Sequence, residues 1–147
     1  MTIVDALNYI QTTALSHFIS KSNHLLIATF QVFHVIGFIL LLAALVLITL
    51  RSLNVALKQY AVADVAKQAL QLAWAGLAVT LTSGVLMFIG SPKHYAYNPA
   101  FEVKMVLLAV AIIAQTVLFQ KITTPRLALS LGLWFTVSMA GRAIGFV

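Results

Sequence analysis

Residues 25–50, LLIATFQVFHVIGFILLLAALVLITL, form the longest apolar run of the chain and contain no Asp, Glu, Lys or Arg. An α-helix rises about 1.5 Å per residue, and about 20 apolar residues cross the roughly 30 Å hydrocarbon core of a bilayer. Arg51 follows directly and ends the apolar run. The stretch therefore predicts a transmembrane helix.

Three further apolar runs predict three more transmembrane helices. They cover residues 69–89, 101–119 and 127–147. The first of these ends at Gly90 and Pro92, and the other two begin after prolines, which is where helices tend to stop and start. The sequence thus predicts an all-α protein, a four-helix transmembrane bundle forming a single domain over residues 1–147, with both termini on one side of the membrane.

Residues 1–22 are too polar to span a bilayer. Their apolar side chains recur at helical spacing and fall on one stripe, which includes Ile3, Leu7, Ile10, Ala14 and Phe18. This pattern is typical of an amphipathic helix lying in the membrane interface. We expect such an interfacial helix before the first span.

Composition excludes several classes of protein. The chain is 62% hydrophobic and 8% charged, so a soluble domain of this size could not bury its apolar surface, and lipid must cover it. The formal charge of +6 comes from cations at the edges of apolar runs, not from a basic patch, which argues against a nucleic-acid partner. The absence of cysteine excludes disulfides, thiolate metal sites and covalently attached c-type haem.

The distribution of Lys and Arg predicts the orientation. Short cytoplasmic loops are enriched in these residues. The connections after the first and third spans carry five, namely Arg51, Lys58, Lys67, Lys121 and Arg126. The terminal side carries Lys21 and Lys93. The termini are therefore predicted to lie on the outer side.

His34 is the first candidate for a functional residue. It lies about ten residues into the first span, about 15 Å from the start of that helix and so near the middle of the bilayer. One interpretation is a neutral histidine that is hydrogen-bonded to a neighbouring helix. The other is an axial ligand of a b-type haem, with Gly37 one turn further on making room for the porphyrin ring.

Two other histidines share this side of the membrane. His24 lies at the mouth of the first span, and His94 follows the second span. Each is interpreted either as an ordinary interfacial residue or as the second ligand, so His34, His94 and His24 are the candidate metal ligands. His24 and His34 are ten residues apart, which is too far to bind one metal ion together.

Two cations lie within apolar runs on the same side. Lys104 lies three residues into the third run, and Arg142 lies five residues before the C-terminus. Both could extend to the lipid headgroups. Alternatively, their positive charges would pair with haem propionates, a lipid phosphate or Glu102, because Arg in particular pairs with planar carboxylates.

Three short segments carry a resemblance to a known group of proteins. They are His34–Val35–Ile36–Gly37, Tyr97–Asn98–Pro99–Ala100–Phe101 with the following Val103–Lys104, and Ala140–Gly141–Arg142–Ala143–Ile144. The chain resembles an uncharacterised family of small bacterial four-helix integral membrane proteins, distantly similar to copper resistance protein D type membrane domains. The resemblance implies the bacterial inner membrane, keeps copper in view and adds Asn98 to the candidate cofactor-binding residues. Thr49–Leu50–Arg51 departs from the family, which tends to have an acidic residue before the arginine.

The leading functional hypothesis is a membrane b-type cytochrome or cytochrome-like subunit that carries electrons between a quinone or membrane partner and an oxidoreductase. Its candidate cofactor-binding residues are His34, His94, His24, Arg142, Lys104, Gly37 and Asn98. A non-redox subunit or copper-handling module is the first alternative. A structural anchor is the second; it would form homo-oligomers through small residues such as Gly76, Ala78, Ser83 and Gly84. No acid–base pair or catalytic motif indicates a self-contained enzyme.

Overall fold

The computed structural model describes residues 2–22 and 24–146, and all regular secondary structure in these ranges is helical. The helices are α1 (Ile3–Thr12), α2 (Ala14–Lys21), α3 (His24–Ser52), α4 (Val62–Gly90), α5 (Pro92–Ala96), α6 (Pro99–Leu118) and α7 (Thr124–Ala143). The prediction of an all-α protein is confirmed. Met1 of the predicted interfacial helix and Val147 of the predicted fourth span lie outside the described residues.

Three helices are long and apolar enough to cross a membrane, namely α3, α4 and α6. The chain is therefore a membrane protein. Helix α7 has the same 20-residue length as α6, but polar residues such as Arg126 and Ser130 interrupt its apolar sequence. Within the described residues, length and apolarity together thus identify three of the four predicted spans.

Helix α4 begins at Val62, seven residues before its predicted start. The added first turns include Asp64, whose carboxylate favours a helix N-terminus, and Lys67. They extend the helix beyond its apolar run. The preceding connection is held by Arg51, which donates from Nε to the Tyr60 carbonyl (2.8 Å) and from Nη1 to Asn54 Oδ1 (2.9 Å).

The N-terminal segment is two helices, so the prediction of one continuous helix over residues 1–22 is wrong. The break falls at Thr13, which has extended backbone angles. Its hydroxyl donates to the Ile10 carbonyl (2.7 Å) and accepts from the Ser16 amide (3.3 Å), so it ends one helix and caps the next. Ile19 is buried against Gly90 of α4, whereas Phe18 remains exposed. One side of the amphipathic segment therefore packs on the bundle.

The bundle consists of two helical hairpins, α3–α4 and α6–α7, which meet mainly where α3 packs on α7. Small residues of α4 at alternating three- and four-residue spacing form the seam with α3. They are Ala66, Ala69, Ala73, Gly76, Thr80 and Ser83, all buried. Gly76 and Ser83, considered above as oligomerisation residues, are thus used inside the chain, whereas Ala78 is exposed.

Candidate functional site: a histidine–lysine pair between two hairpins

The side chains of His34 and Lys104 meet at the junction of the two hairpins. Nε2 of His34, on α3, lies 3.5 Å from Nζ of Lys104, on α6, and both residues are partly buried. Lys104 lies on the inward side of α6 with Leu108 and Ala111, which follow it at helical spacing. The structure therefore brings together two of the predicted site residues that are 70 positions apart in sequence.

Ser83 on α4 determines which ring nitrogen of His34 carries the hydrogen. The Ser83 hydroxyl has one hydrogen, and its oxygen lies 2.7 Å from the Val79 carbonyl and 3.0 Å from the Thr80 carbonyl, both of which can only accept. The same oxygen lies 3.2 Å from His34 Nδ1. It therefore accepts a hydrogen bond from Nδ1–H, and this network assigns an unprotonated Nε2 that faces Lys104.

Lys104 has no carboxylate partner among the described residues. Glu102 is exposed and lies two positions away on α6, a spacing that places it on a different face of the helix. An embedded ammonium needs a partner or must lose its charge. In the absence of a ligand, Nε2 of His34 is that partner. His34 and Lys104 therefore form a nitrogen-rich site without an acidic group among the described residues.

The sequence suggested that Gly37 makes room for a porphyrin ring, but in the structure the facing helix lies against it. A Cβ atom at this position would lie 2.7 Å from the Gly76 carbonyl oxygen and 2.8 Å from the Thr80 amide nitrogen. The backbones of α3 and α4 therefore touch at Gly37, and α4 fills the predicted space. Gly37 permits close helix packing.

The other two candidate ligands, His24 and His94, do not join the pair. His24 and His94 are both exposed, and the ring of His94 packs edge-on against Tyr95, with centroids 5.4 Å apart. Among the described residues, no group of three or more His, Cys, Asp or Glu side chains is arranged to hold a metal ion. The hydrogen-bond partners of His34 are instead Ser83 and Lys104.

Asn98 has a structural role at the start of α6. Its Oδ1 accepts from the amides of Ala100 (3.0 Å) and Phe101 (3.3 Å), which caps the helix. Its Nδ2 donates to the Ile144 carbonyl, 3.2 Å away, just after α7. Asn98 therefore ties the start of α6 to the end of α7, while Arg142, in the last turn of α7, is exposed.

An aromatic cluster covers the N-terminal end of α6. Phe101 stacks on Phe88 of α4 (centroids 5.7 Å apart) and packs against Tyr95 of α5 (5.5 Å). Burial in this cluster raises the pKa of the Tyr95 phenol above its ordinary value. Tyr95 is thus a packed residue of the bundle end, whereas Tyr97 is exposed, as expected of an interfacial residue.

The half of the bundle away from the pair contains buried polar groups that were not among the residues predicted from the sequence. Trp134 on α7 donates from its indole nitrogen to Gln115 Oε1 on α6, and both side chains are fully buried. Gln115 Nε2 and Ser130 Oγ have no partner among the described residues. Gln115 could have been found from the sequence, because it places an amide side chain within the mainly apolar run of residues 101–119.

The sequence pattern of one protein family matches residues 7–147, which include both members of the pair and Ser83. The chain belongs to DUF6644, a family of unknown function. The prediction of an uncharacterised family is thereby confirmed. No curated protein and no solved structure matches the chain, so the similarity to copper resistance protein D type domains rests on the short segments quoted above.

Proposed function

We propose that this protein is a membrane b-type cytochrome in which His34 and Lys104 bind the haem iron. The observation that supports this most strongly is that His34 Nε2 faces a second nitrogen, Lys104 Nζ, 3.5 Å away across the junction of two hairpins. Neutral imidazole is a common axial ligand of haem iron in helical bundles. A lysine amine also ligates when it is neutral, and burial favours that form of a lysine.

The donor set fits such an iron. His34 Nε2 and Lys104 Nζ lie 3.5 Å apart on two different helices. They would hold the iron from two sides of the hairpin junction, and the flexible lysine stem would let its amine adjust to the bound group. Helix α6 packs mainly on α7 and less on α5. It reaches the α3–α4 hairpin through side chains, those of Lys104 with His34 and of Phe101 with Phe88, so the proposed ring position is between the hairpins.

Lys104 replaces His94 and His24 as the proposed second ligand, because both of those histidines are exposed. Bound haem supplies one-electron transfer. Ser83 holds His34 in the ligating tautomer, which is the usual role of a hydrogen-bond partner behind a metal-binding histidine. Arg142 is the proposed partner of the propionates, and the proposed electron partners are a quinone or membrane donor and an oxidoreductase.

Copper is the alternative cofactor. Imidazole and amine nitrogens suit Cu(II), and the resemblance to copper resistance protein D type domains points the same way. A site of two nitrogens needs further ligands from solvent or from a partner, whereas a porphyrin supplies four of its own. The second alternative, a homo-oligomeric anchor, would leave the His34–Lys104 pair without a ligand.

An absorption spectrum with metal analysis tests the proposal. We expect protein purified from haem-replete cells to show a b-type α-band after reduction with dithionite and to contain about one iron per chain. Copper without such a band would favour the copper-handling module. A folded preparation that contains neither haem nor copper would favour the structural anchor.

We also propose that α7 is the fourth span, that α1 and α2 lie in the outer interface, and that the protein resides in a bacterial inner membrane with its termini outside. The length of α7, its packing on α6 and the five-to-two distribution of cations support this topology.

The absence of native cysteine makes the topology directly testable. We expect a cysteine introduced at the exposed Ser20 to react with a membrane-impermeant maleimide in cells whose outer membrane has been permeabilised. Cysteines introduced at the exposed Gln59 and Gln120 should react only after lysis of the inner membrane. Labelling of Gln120→Cys without lysis would contradict four spans in this orientation.

A further inference from the structure

Two glycines border the His34–Lys104 pair, one on each side. A Cβ atom on Gly84 of α4 would lie 3.1 Å from Cε1 and 3.4 Å from Nδ1 of the His34 ring. A Cβ atom on Gly141 of α7 would lie 3.4 Å from both Cε and Nζ of Lys104. Each glycine therefore lies directly against one of the two nitrogen-bearing groups.

These glycines differ from those at the α3–α4 seam. At Gly37 and Gly76, the atoms that an added Cβ would meet include backbone atoms of the facing helix. At Gly84 and Gly141 the nearest atoms belong to the side chains of the pair alone. Glycine at these two positions thus leaves space for the side chains of the pair, whereas glycine at the seam lets the helix backbones approach.

We infer that Gly84 is a positioning residue that sets the orientation of the His34 ring, and with it the separation of Nε2 from Lys104 Nζ, whereas Gly141 leaves room beside the lysine. The inference rests on the proposed function, because it concerns the fit of the same two ligands to one metal ion. A methyl group on Gly84 would press on Cε1, the carbon between the two ring nitrogens. The ring atoms would then move by a few tenths of an ångström, which would lengthen the contact with Ser83, with Lys104, or with both.

The two positions should respond differently to alanine. The contact at Gly84 is tighter than an ordinary carbon contact, so alanine there must displace the ring. The contact at Gly141 is of ordinary van der Waals length, so alanine should be accepted there, and only a larger side chain should displace the lysine. Gly132, also on α7, is the matched control, because a Cβ there would meet nothing within 4 Å.

The test compares Gly84→Ala, Gly141→Ala, Gly141→Leu and Gly132→Ala with the unsubstituted protein by haem titration. Since a side chain pushed off its preferred rotamer costs a modest amount, we expect Gly84→Ala to bind haem about two- to tenfold more weakly. Gly141→Leu should lose the signature of the lysine ligand in the electron paramagnetic resonance spectrum. Gly141→Ala and Gly132→Ala should match the unsubstituted protein in both measurements.

A measurement on haem-free protein separates this inference from the proposed function. In ¹⁵N spectra of histidine-labelled protein, Gly84→Ala should shift the His34 ring signals, while Gly132→Ala should leave them in place. If no variant or parent binds haem but the His34 signals still shift in Gly84→Ala alone, the proposed cofactor is wrong and the positioning role stands. If Gly84→Ala behaves as Gly132→Ala does in the ¹⁵N spectra, the positioning role is wrong, whatever the haem content.

Discussion

Replacement of His34 by alanine is expected to abolish haem binding while the helical bundle remains folded. The imidazole supplies the proposed ligand Nε2, and no other histidine contacts Lys104 among the described residues. The structural cost is the loss of the hydrogen bonds with Ser83 and Lys104, about 1 kcal/mol each, because the ring is only partly buried. The measurement is haem content per chain, with helix content from circular dichroism as the check on folding.

His24→Ala and His94→Ala are the matched controls. Both side chains are exposed, and neither is a proposed ligand, so these variants should retain full haem content. The prediction is contradicted if His34→Ala keeps its haem. Loss of haem from His94→Ala together with His34→Ala would instead support a bis-histidine site.

Replacement of Gly37 by alanine is expected to destabilise the α3–α4 hairpin. The new methyl carbon would lie 2.7 Å from the Gly76 carbonyl oxygen and 2.8 Å from the Thr80 amide nitrogen, so α3 and α4 must move apart. Overpacking of this kind costs about 1–3 kcal/mol, and here the obstacle is backbone, which cannot rotate away. The measurement is the midpoint of unfolding in a mixed detergent, followed by circular dichroism.

Gly132→Ala again provides the control, since it makes the same chemical change on an open surface. Its midpoint should equal or slightly exceed that of the unsubstituted protein, because alanine favours helix more than glycine does. Equal midpoints for Gly37→Ala and Gly132→Ala would contradict the tight α3–α4 seam.

The sequence predicted the individual site residues better than their arrangement. His34 and Lys104 were recognisable because an ionisable side chain in an apolar run is conspicuous. Their pairing was not, because it depends on how α6 is rotated and on how the two hairpins meet, which residues 70 positions apart do not reveal. From the sequence, Ser83 was noted only as a small residue that permits helix packing. Its hydrogen bond with His34 could not be predicted, because it depends on which backbone carbonyls the Ser83 hydroxyl reaches.

Glycines and helix ends were harder to interpret. The same residue type makes room for a neighbouring helix at Gly37 and for side chains of the pair at Gly84, and only the facing helix distinguishes the two. Helix α4 extends beyond its apolar run because Asp64 and Lys67 lie in turns that do not need to be apolar. At Thr13 a side-chain cap ends a helix that the apolar stripe alone would continue.

Electron paramagnetic resonance of the oxidised protein and of its Lys104→Ala variant tests whether His34 and Lys104 bind one haem iron. We expect six-coordinate, low-spin iron in the unsubstituted protein and high-spin iron in the variant, because one of the two proposed ligands is lost. His94→Ala should keep the low-spin signal. A low-spin signal unchanged in Lys104→Ala, or lost only in His94→Ala, would contradict the claim.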